Sequence, residues 1–271
     1  VPSREQLREH LVATRIAGPV ATTRERNLLS YRLFAAGDPR VLLGLDPERL
    51  WDVPGLLRLM ADRCGVSPDP AHRHGPDTID PERTLSALDA FADRLARAAA
   101  DRVPVLFGTG HPERLLGFYA AVAAGLARAG CPVLTPARGL PLELPTGRGA
   151  RPYVLEYVRS VALVRPDGAH GSGTSAPAHN HSPLPVRAAL GAAAQAGDPL
   201  PRLVVGDHGW VCGAGQLGLA ALGLADTNDP ALFVGEAEGR VLLTVPLDDA
   251  VRSSYYRPLT RYVLNRACLS Q

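Results

Sequence analysis

The pattern of apolar and polar positions changes character once along the chain. Over the first hundred residues it follows a helical period, and capping residues mark the starts. Ser3 precedes "REQLREHLVAT", which predicts a helix over Arg4 to Thr14. In "LDPERLWDVPGLLRLMADRCG", Asp46 stands as an N-cap with Pro47 in the first turn, Pro54 forces a break and Gly65 is the stop. "IDPERTLSALDAFADRLARAAA" repeats the Asp-Pro start at Asp80 and Pro81. Its apolar positions Leu85, Leu88, Phe91, Leu95 and Ala98 share one helical face. Between the two lies a proline-rich loop, "GVSPDPAHRHGPD".

From Val103 onward, short apolar runs alternate with helical stretches. "VPVLF" is a buried strand, "GTGHP" a glycine turn, "ERLLGFYAAVAAGLARAG" a helix ending at Gly130, and "CPVLT" a second strand. Strand, glycine turn, helix and strand in this order indicate a parallel α/β unit. "GLPLELPTGRGARP" is a loop or hairpin, followed by short runs in "YVLEYV" and "VALV". Residues 165–183, "RPDGAHGSGTSAPAHNHSP", exceed an ordinary connection and form a functional or mobile segment. "LPVRAALGAAAQAG" is then helical, "PRLVVG" a strand, and a helix lies within "CGAGQLGLAALG". "GLA", "ALFVGEA" and "RVLLTVPL" give the last strands, and "YYRPLTRYVLNRACL" a closing helix. The expected fold is α/β, with a Rossmann-like parallel or mostly parallel sheet, flanking helices and a helical N-terminal region. Residues 1–100 form that region, packed on an α/β core over 101–271. Within the core, 101–164 and 184–271 are candidate βαβ halves joined by the loop 165–183.

Composition narrows the function classes. A chain of 271 residues that is 46% hydrophobic can bury a full core. A net charge of +2 without a basic stripe argues against a nucleic-acid binder. All basic residues are Arg, whose guanidinium suits phosphate oxygens. Cys64, Cys131, Cys212 and Cys268 form no C-x-x-C pair, so free and mostly buried thiols in a reducing compartment are expected. No apolar run reaches the ~20 residues of a membrane span, and "VPSREQLREHL" is a charged amphipathic segment rather than a signal peptide. A soluble, cytoplasmic protein is the expectation.

Three polar clusters each follow a predicted strand. In "GTGHP", Gly108 and Gly110 permit close approach, Thr109 offers a hydroxyl and His111 a proton shuttle, so the turn is a candidate phosphate cradle. "GDHG" places Asp207 and His208 where open α/β sheets bind ligands. "ADTNDPALF" carries Asp226, Asn228 and Asp229, oxygen donors suited to Mg²⁺. His179 and His181 of "HNHS" would face one side of an extended segment and close over an anionic substrate. No third nitrogen stands near them in sequence, which disfavours zinc. Glu236, Glu238, Asp248 and Asp249 flank late strands as solvated rims, from which one could complete a metal shell.

Two further motifs are decoys. Gly213, Gly215 and Gly218 form a Gly-x-Gly-x-x-Gly pattern, but Asp207 to Cys212 separate it from the strand, and the next acid, Asp226, comes too early for a ribose ligand. "RHG" at Arg73 to Gly75 lacks the preceding strand that a histidine phosphatase needs. The convergence of an anion-binding turn, an Asp-His pair and oxygen donors on one sheet edge suits hydrolysis of a phosphomonoester. On this reading Asp207, His208 and His111 are catalytic, and Gly108, Thr109, Gly110, His179 and His181 bind the phosphate. Asp226, Asn228 and Asp229 hold a metal, Mg²⁺ first. The partner is a small phosphorylated metabolite such as a sugar or nucleotide phosphate, and a homodimer is one candidate assembly. The competing readings are a non-catalytic phosphometabolite- or nucleotide-binding protein and an NAD(P)-binding oxidoreductase using the glycine pattern.

At these residues the chain resembles an actinobacterial family of soluble proteins of similar length labelled phosphatase. The resemblance runs from "PSREQLREHLVATRIAG" to "PLTRYVL" and rests on "DRCGVSPDP", "GPDTIDPE", "GTGHPERLL", "HNHS", "GDHGW" and the long block "DTNDPALFVGEAEG" followed by "VPLDD". It implies a phosphatase reaction class without naming a substrate. Asn180 stands where the family pattern has Thr, Cys212 is another departure, and "RHG" corresponds to "RYG" in relatives.

Overall fold

The computed structural model describes residues 1–146, 149–167 and 176–270. The N-terminal third contains α1 (Arg4–Ala13), β1 (Gly18–Thr23), α2 (Arg24–Ala35), the single turn α3 (Pro39–Leu42), α4 (Val53–Cys64), β2 (Pro76–Ile79) and α5 (Pro81–Ala100). There follow β3 (Val105–Gly108), α6 (Pro112–Arg128), β4 (Val133–Leu134), β5 (Pro141–Thr146), β6 (Gly149–Val158) and β7 (Val161–Pro166). The last third holds α7 (Leu184–Ala196), β8 (Leu203–Asp207), α8 (His208–Gln216), β9 (Ala220–Ala225), α9 (Pro230–Ala237), β10 (Leu243–Pro246) and α10 (Arg257–Arg266).

Eight strands form one sheet in the order β10-β9-β8-β3-β7-β6-β5, with β4 paired to the first half of β3 and β7 to the second. The pairs from β10 to β7 are parallel, and β6 and β5 extend the sheet antiparallel, so the fold is α/β with a mostly parallel centre. The chain leaves β3 toward β4 on one side, whereas β8, β9 and β10 build outward on the other. The boundary between β3 and β8 is therefore a topological switch point, the place where open α/β sheets form a crevice beyond their strand ends.

The central strands are apolar on both faces, as burial under two helical layers requires. Val105, Phe107, Val205, Leu222 and Leu224 face one core together with Leu7, Leu11, Leu88, Phe91 and Leu126. Leu106 and Val204 face the opposite side with Val186 and Trp210. Beside them Ala221 and Ala225 pack with Leu56, Met60 and Phe233. The N-terminal helices thus complete the core of the sheet and enclose none of their own. Among the described residues no helix is long and apolar enough to cross a membrane.

The Ser3 capping box and the Asp80–Pro81 start occur as the sequence predicts. Other expectations change. The helix predicted from Asp46 begins only at Val53: Asp52 accepts from the Gly55 amide, and Pro54 sits in the first turn, where its missing N–H costs nothing. "ALFVGEA" is the helix α9 rather than a strand, started by Pro230 and buried from Pro230 to Gly235, so no polar face revealed its period. The helix after β8 begins at His208, earlier than its glycines suggested. The antiparallel pair β1–β2 and the helix α2 were not anticipated. Of the 165–183 loop, residues 168–175 lie outside the described residues.

Candidate active site

The site lies beyond the carboxyl ends of β3, β8, β9 and β10. Three helices start there, and each N-cap (His111 for α6, Asp207 for α8, Asp229 for α9) leaves its own helix uncapped by a side chain. Their side chains point instead into the space between the strand ends, and the three positive helix ends face it.

His208 sits at the elbow between β8 and α8 with φ +47°, a left-handed conformation that costs a non-glycine residue energy. Glycines around it remove steric obstacles. A Cβ at Gly206 would overlap the Gly108 carbonyl, and one at Gly209 the backbone of His181 and Ser182. The strain fixes the His208 ring between two sets of acids. Nδ1 lies 2.9 Å from Asp207 Oδ1, while Nε2 lies 3.2 Å from Asp229 Oδ2 and 3.6 Å from Asp249 Oδ2. Asp207 spans the switch point: it accepts from the Thr109 hydroxyl at 2.7 Å and the Gly110 amide at 2.6 Å.

On the far side of the ring stand the other imidazoles. His111 Nδ1 is 3.3 Å from His208 Nδ1, the His181 ring stacks on His208 at 3.9 Å, and His179 Nε2 is 2.6 Å from His181 Nε2, so one proton joins that pair. The segment carrying them is pinned by Asn180, whose amide donates to the Gly110 carbonyl. On the near side, Asp226 accepts from the hydroxyl of Thr22 on β1 and from the Thr227 amide. Asp248 accepts from the amides of Ala21 and Ala250.

The charges are set by burial and by one another. Burial alone would lower His208, but the Asp229 charge and the bonds to Asp207 and Asp229 raise it well above the usual imidazole range. Burial and the adjoining His208 cation hold His111 neutral, down to about 3, and His181 neutral, down to about 2. Burial works to raise Asp207 and Asp229, yet the His208 contacts keep both below the usual carboxylate range. Burial, reinforced by Asp248, pushes Asp226 up to about 7. Burial and the other carboxylates raise Asp249 well above its ordinary value against the pull of His208. Five carboxylates (Asp207, Asp226, Asp229, Asp248 and Asp249) are thus buried together. Among the described residues no arginine hydrogen-bonds or ion-pairs with any of them, and the buried Arg24 is engaged by Asp77. Buried charge needs a counter-charge, and this cluster has more acids than imidazolium.

His/Asp groups with metal-ligand spacing follow from this arrangement: His111, His181 and His208; His208, Asp229 and Asp249; and Asp226, Asp248 and Asp249. The expected residues His111, His181, Asp207, His208, Asp226 and Asp229 are brought together, with His179 at the mouth. Several expectations need correction. The "GTGHP" turn commits its amides internally: Thr109 donates to the Ala162 carbonyl, Gly110 to Asp207 and His111 to the Thr109 hydroxyl. Its described role is to hold Asp207, and Gly108 lets the Trp210 ring lie against the turn. Asp226 and Asp229 fall in different groups, and half-buried Asn228 makes no hydrogen bond to either among the described residues. The nitrogens missing near "HNHS" are supplied by His111 and His208 from other strands. Asp248 and Asp249 are buried members of the cluster rather than a solvated rim. Thr22 and Thr227, missed in the sequence, support Asp226.

The family model described as Phosphatase matches residues 2–271. Phosphatase SCO2771 of Streptomyces coelicolor (strain ATCC BAA-471 / A3(2) / M145) is 47% identical over 270 residues, covering 99% of this chain and 97% of the relative. A match of this length takes in every residue of the His/Asp cluster, and the chain belongs to this Phosphatase family.

Proposed function

We propose that the protein is a metal-assisted phosphomonoesterase, converting a monoester and water into an alcohol and inorganic phosphate at the His/Asp cluster. The observation that carries this reading is the buried excess of carboxylate around His208. A bound cation would replace the protons that burial favours on Asp226 and Asp249 and leave an anionic substrate able to approach. Of the three groups, His208 Nε2 with Asp229 and Asp249 is the one that mixes nitrogen and carboxylate donors. Asp207, accepting from His208 Nδ1–H, fixes the tautomer that presents Nε2, as the carboxylate partners of metal-binding histidines do. Asp207 is then a positioning residue, since its oxygens are held by the Thr109, Gly110 and His208 donors.

A bound cation supplies Lewis acidity toward the phosphoryl oxygens and a more acidic water. The mixed nitrogen–oxygen set favours a transition ion such as Mn²⁺ or Zn²⁺ over the Mg²⁺ expected from the sequence, which prefers oxygen alone. The neutral rings of His111 and His181 donate hydrogen bonds to phosphate oxygens, and the three helix N-termini favour the dianion. His179, at the mouth and hydrogen-bonded to His181, is placed to relay a proton from solvent water to the leaving oxygen.

His179 and His181 also line a cavity of about 810 Å³ that opens between α3, the β5–β6 hairpin and the start of α7. Leu42, Leu45, Leu144, Tyr153 and Leu184 make its walls largely apolar, which suits an organic group larger than a bare sugar. The buried Asn180 Nδ2, without a partner among the described residues, adds a donor beside the histidines. A panel of alkyl, sugar, nucleoside and aryl monophosphates, assayed for phosphate release with Mn²⁺, Zn²⁺ or Mg²⁺, tests the reading. Turnover that favours bulky or aryl esters supports it, and no release from any ester with any ion overturns it.

A further inference from the structure

Two of the metal-spaced groups share a residue. Asp249 belongs to the His208–Asp229–Asp249 set and to the Asp226–Asp248–Asp249 set, and within each set the ligand atoms lie within 4.8 Å of one another. We infer that the cluster is a dinuclear metal centre in which Asp249 bridges a nitrogen–oxygen site to an all-oxygen site. This inference extends the proposed function, which needs only one ion.

The second site rests on more than a concentration of acids. Asp249 is 4% exposed, and its Oδ2 has no hydrogen-bond partner among the described residues, though it points at His208 Nε2 from 3.6 Å and at His111 Nδ1 from 3.9 Å. A buried carboxylate oxygen left unbonded is expensive unless something outside the protein meets it. The remaining acids are oriented by neutral donors alone: the Thr22 hydroxyl and Thr227 amide on Asp226, and the Ala21 and Ala250 amides on Asp248. These bonds fix the carboxylates and leave lone pairs directed elsewhere, since each ionised carboxylate has about four acceptor positions.

The donor types differentiate the two sites. His208 Nε2 with two carboxylates suits Mn²⁺ or Zn²⁺, whereas three carboxylates suit Mg²⁺ or Mn²⁺. Asp249 would hold both ions, and such a pair would supply the clamp on attacking and leaving oxygens that two-metal phosphate enzymes use. The N-terminal region thereby acquires a chemical role, because β1 orients both oxygen-site acids through Ala21 and Thr22.

Chelator-treated full-length protein titrated with Mn²⁺ tests this by calorimetry and electron paramagnetic resonance. The wild type is expected to bind two ions per chain and to show the spectrum of an exchange-coupled pair. Asp226→Asn, verified to unfold cooperatively, is expected to bind one ion with the six-line spectrum of isolated Mn²⁺. One ion per wild-type chain, two uncoupled ions, or a coupled pair retained in Asp226→Asn would overturn the inference. Phosphate release separates the two claims. A one-ion protein that releases phosphate defeats the dinuclear centre and leaves the phosphatase reading. A coupled two-ion protein that releases none supports the centre and defeats that reading.

Discussion

The two sides of the candidate site are built from different parts of the chain and by different means. On the imidazole side, His111, His179 and His181 converge on His208 from the β3–α6 turn and the segment before α7, and their positions depend on side-chain stacking and one strained elbow. On the carboxylate side, Asp226, Asp248 and Asp249 lie just after β9 and β10, and Asp226 and Asp248 are tied by hydrogen bonds to β1. The first is open at its mouth to a large cavity, and the second is closed. On the proposed function, the open side would contact substrate and the closed side would anchor the cation, with His208 and Asp249 joining them.

The largest effects are expected where the two sides meet. His208→Ala removes a proposed metal ligand, and if the ion contributes several kcal/mol of transition-state stabilisation, kcat/KM should fall on the order of a thousandfold. Equal loss with Asp229→Asn would assign both to one ion, and near-wild-type activity in either would break the scheme. Asp207→Asn should cost about 10–100-fold in metal affinity, as loss of an outer-shell partner does. Calorimetric titration with Mn²⁺ reads that change, and unaltered affinity would return Asp207 to a purely structural role. Thr22→Val, on the closed side, removes one hydrogen bond worth about 1 kcal/mol, a several-fold weakening of ion binding with little change in substrate KM. The opposite split would place Thr22 on the substrate side.

The smallest effect is one of protonation. In metal-free protein, nitrogen-15 resonances of His111 and His181 should show neutral rings from pH 8 to 5, because their folded pKa values lie at about 3 and about 2. His208, raised by Asp229 and Asp207, should remain an imidazolium at neutral pH and lose its Nε2 proton when Zn²⁺ is added. Ordinary titration of all three near 6.5 would contradict the charge arrangement.

Much of the parallel core was legible because its signals are local. The run "VPVLF", its glycine turn and the helix to Gly130 appear where expected, as does the strand in "PRLVVG". What escaped was hidden by burial. α2 inters Arg24 and Asn27 as a polar network with Asp77 on the same side as Leu28, Tyr31 and Phe34, which interrupts the apolar stripe, and α9 is buried without a break from Pro230 to Gly235. The same cause concealed half the site. Asp248 and Asp249 follow β10 just as Asp207 ends β8 and Asp226 follows β9, a repeated strand-then-acid pattern present in the sequence. Reading them as surface charges ignored that repetition. The "GTGHP" turn differs the other way: as a candidate phosphate cradle it needs donors facing outward, and the fold turns the Thr109 hydroxyl and the Gly110 amide onto Asp207.

On the proposed function, a cation held by His208, Asp229 and Asp249 drives phosphate release. This is tested most directly by assaying aryl phosphate hydrolysis in one preparation before chelation, after it, and after stoichiometric Mn²⁺ or Zn²⁺ is restored, alongside Asp229→Asn. Chelation is expected to abolish release, the restored ion to return it in the wild type, and the variant to stay inactive. Full activity in verified metal-free protein would contradict this reading.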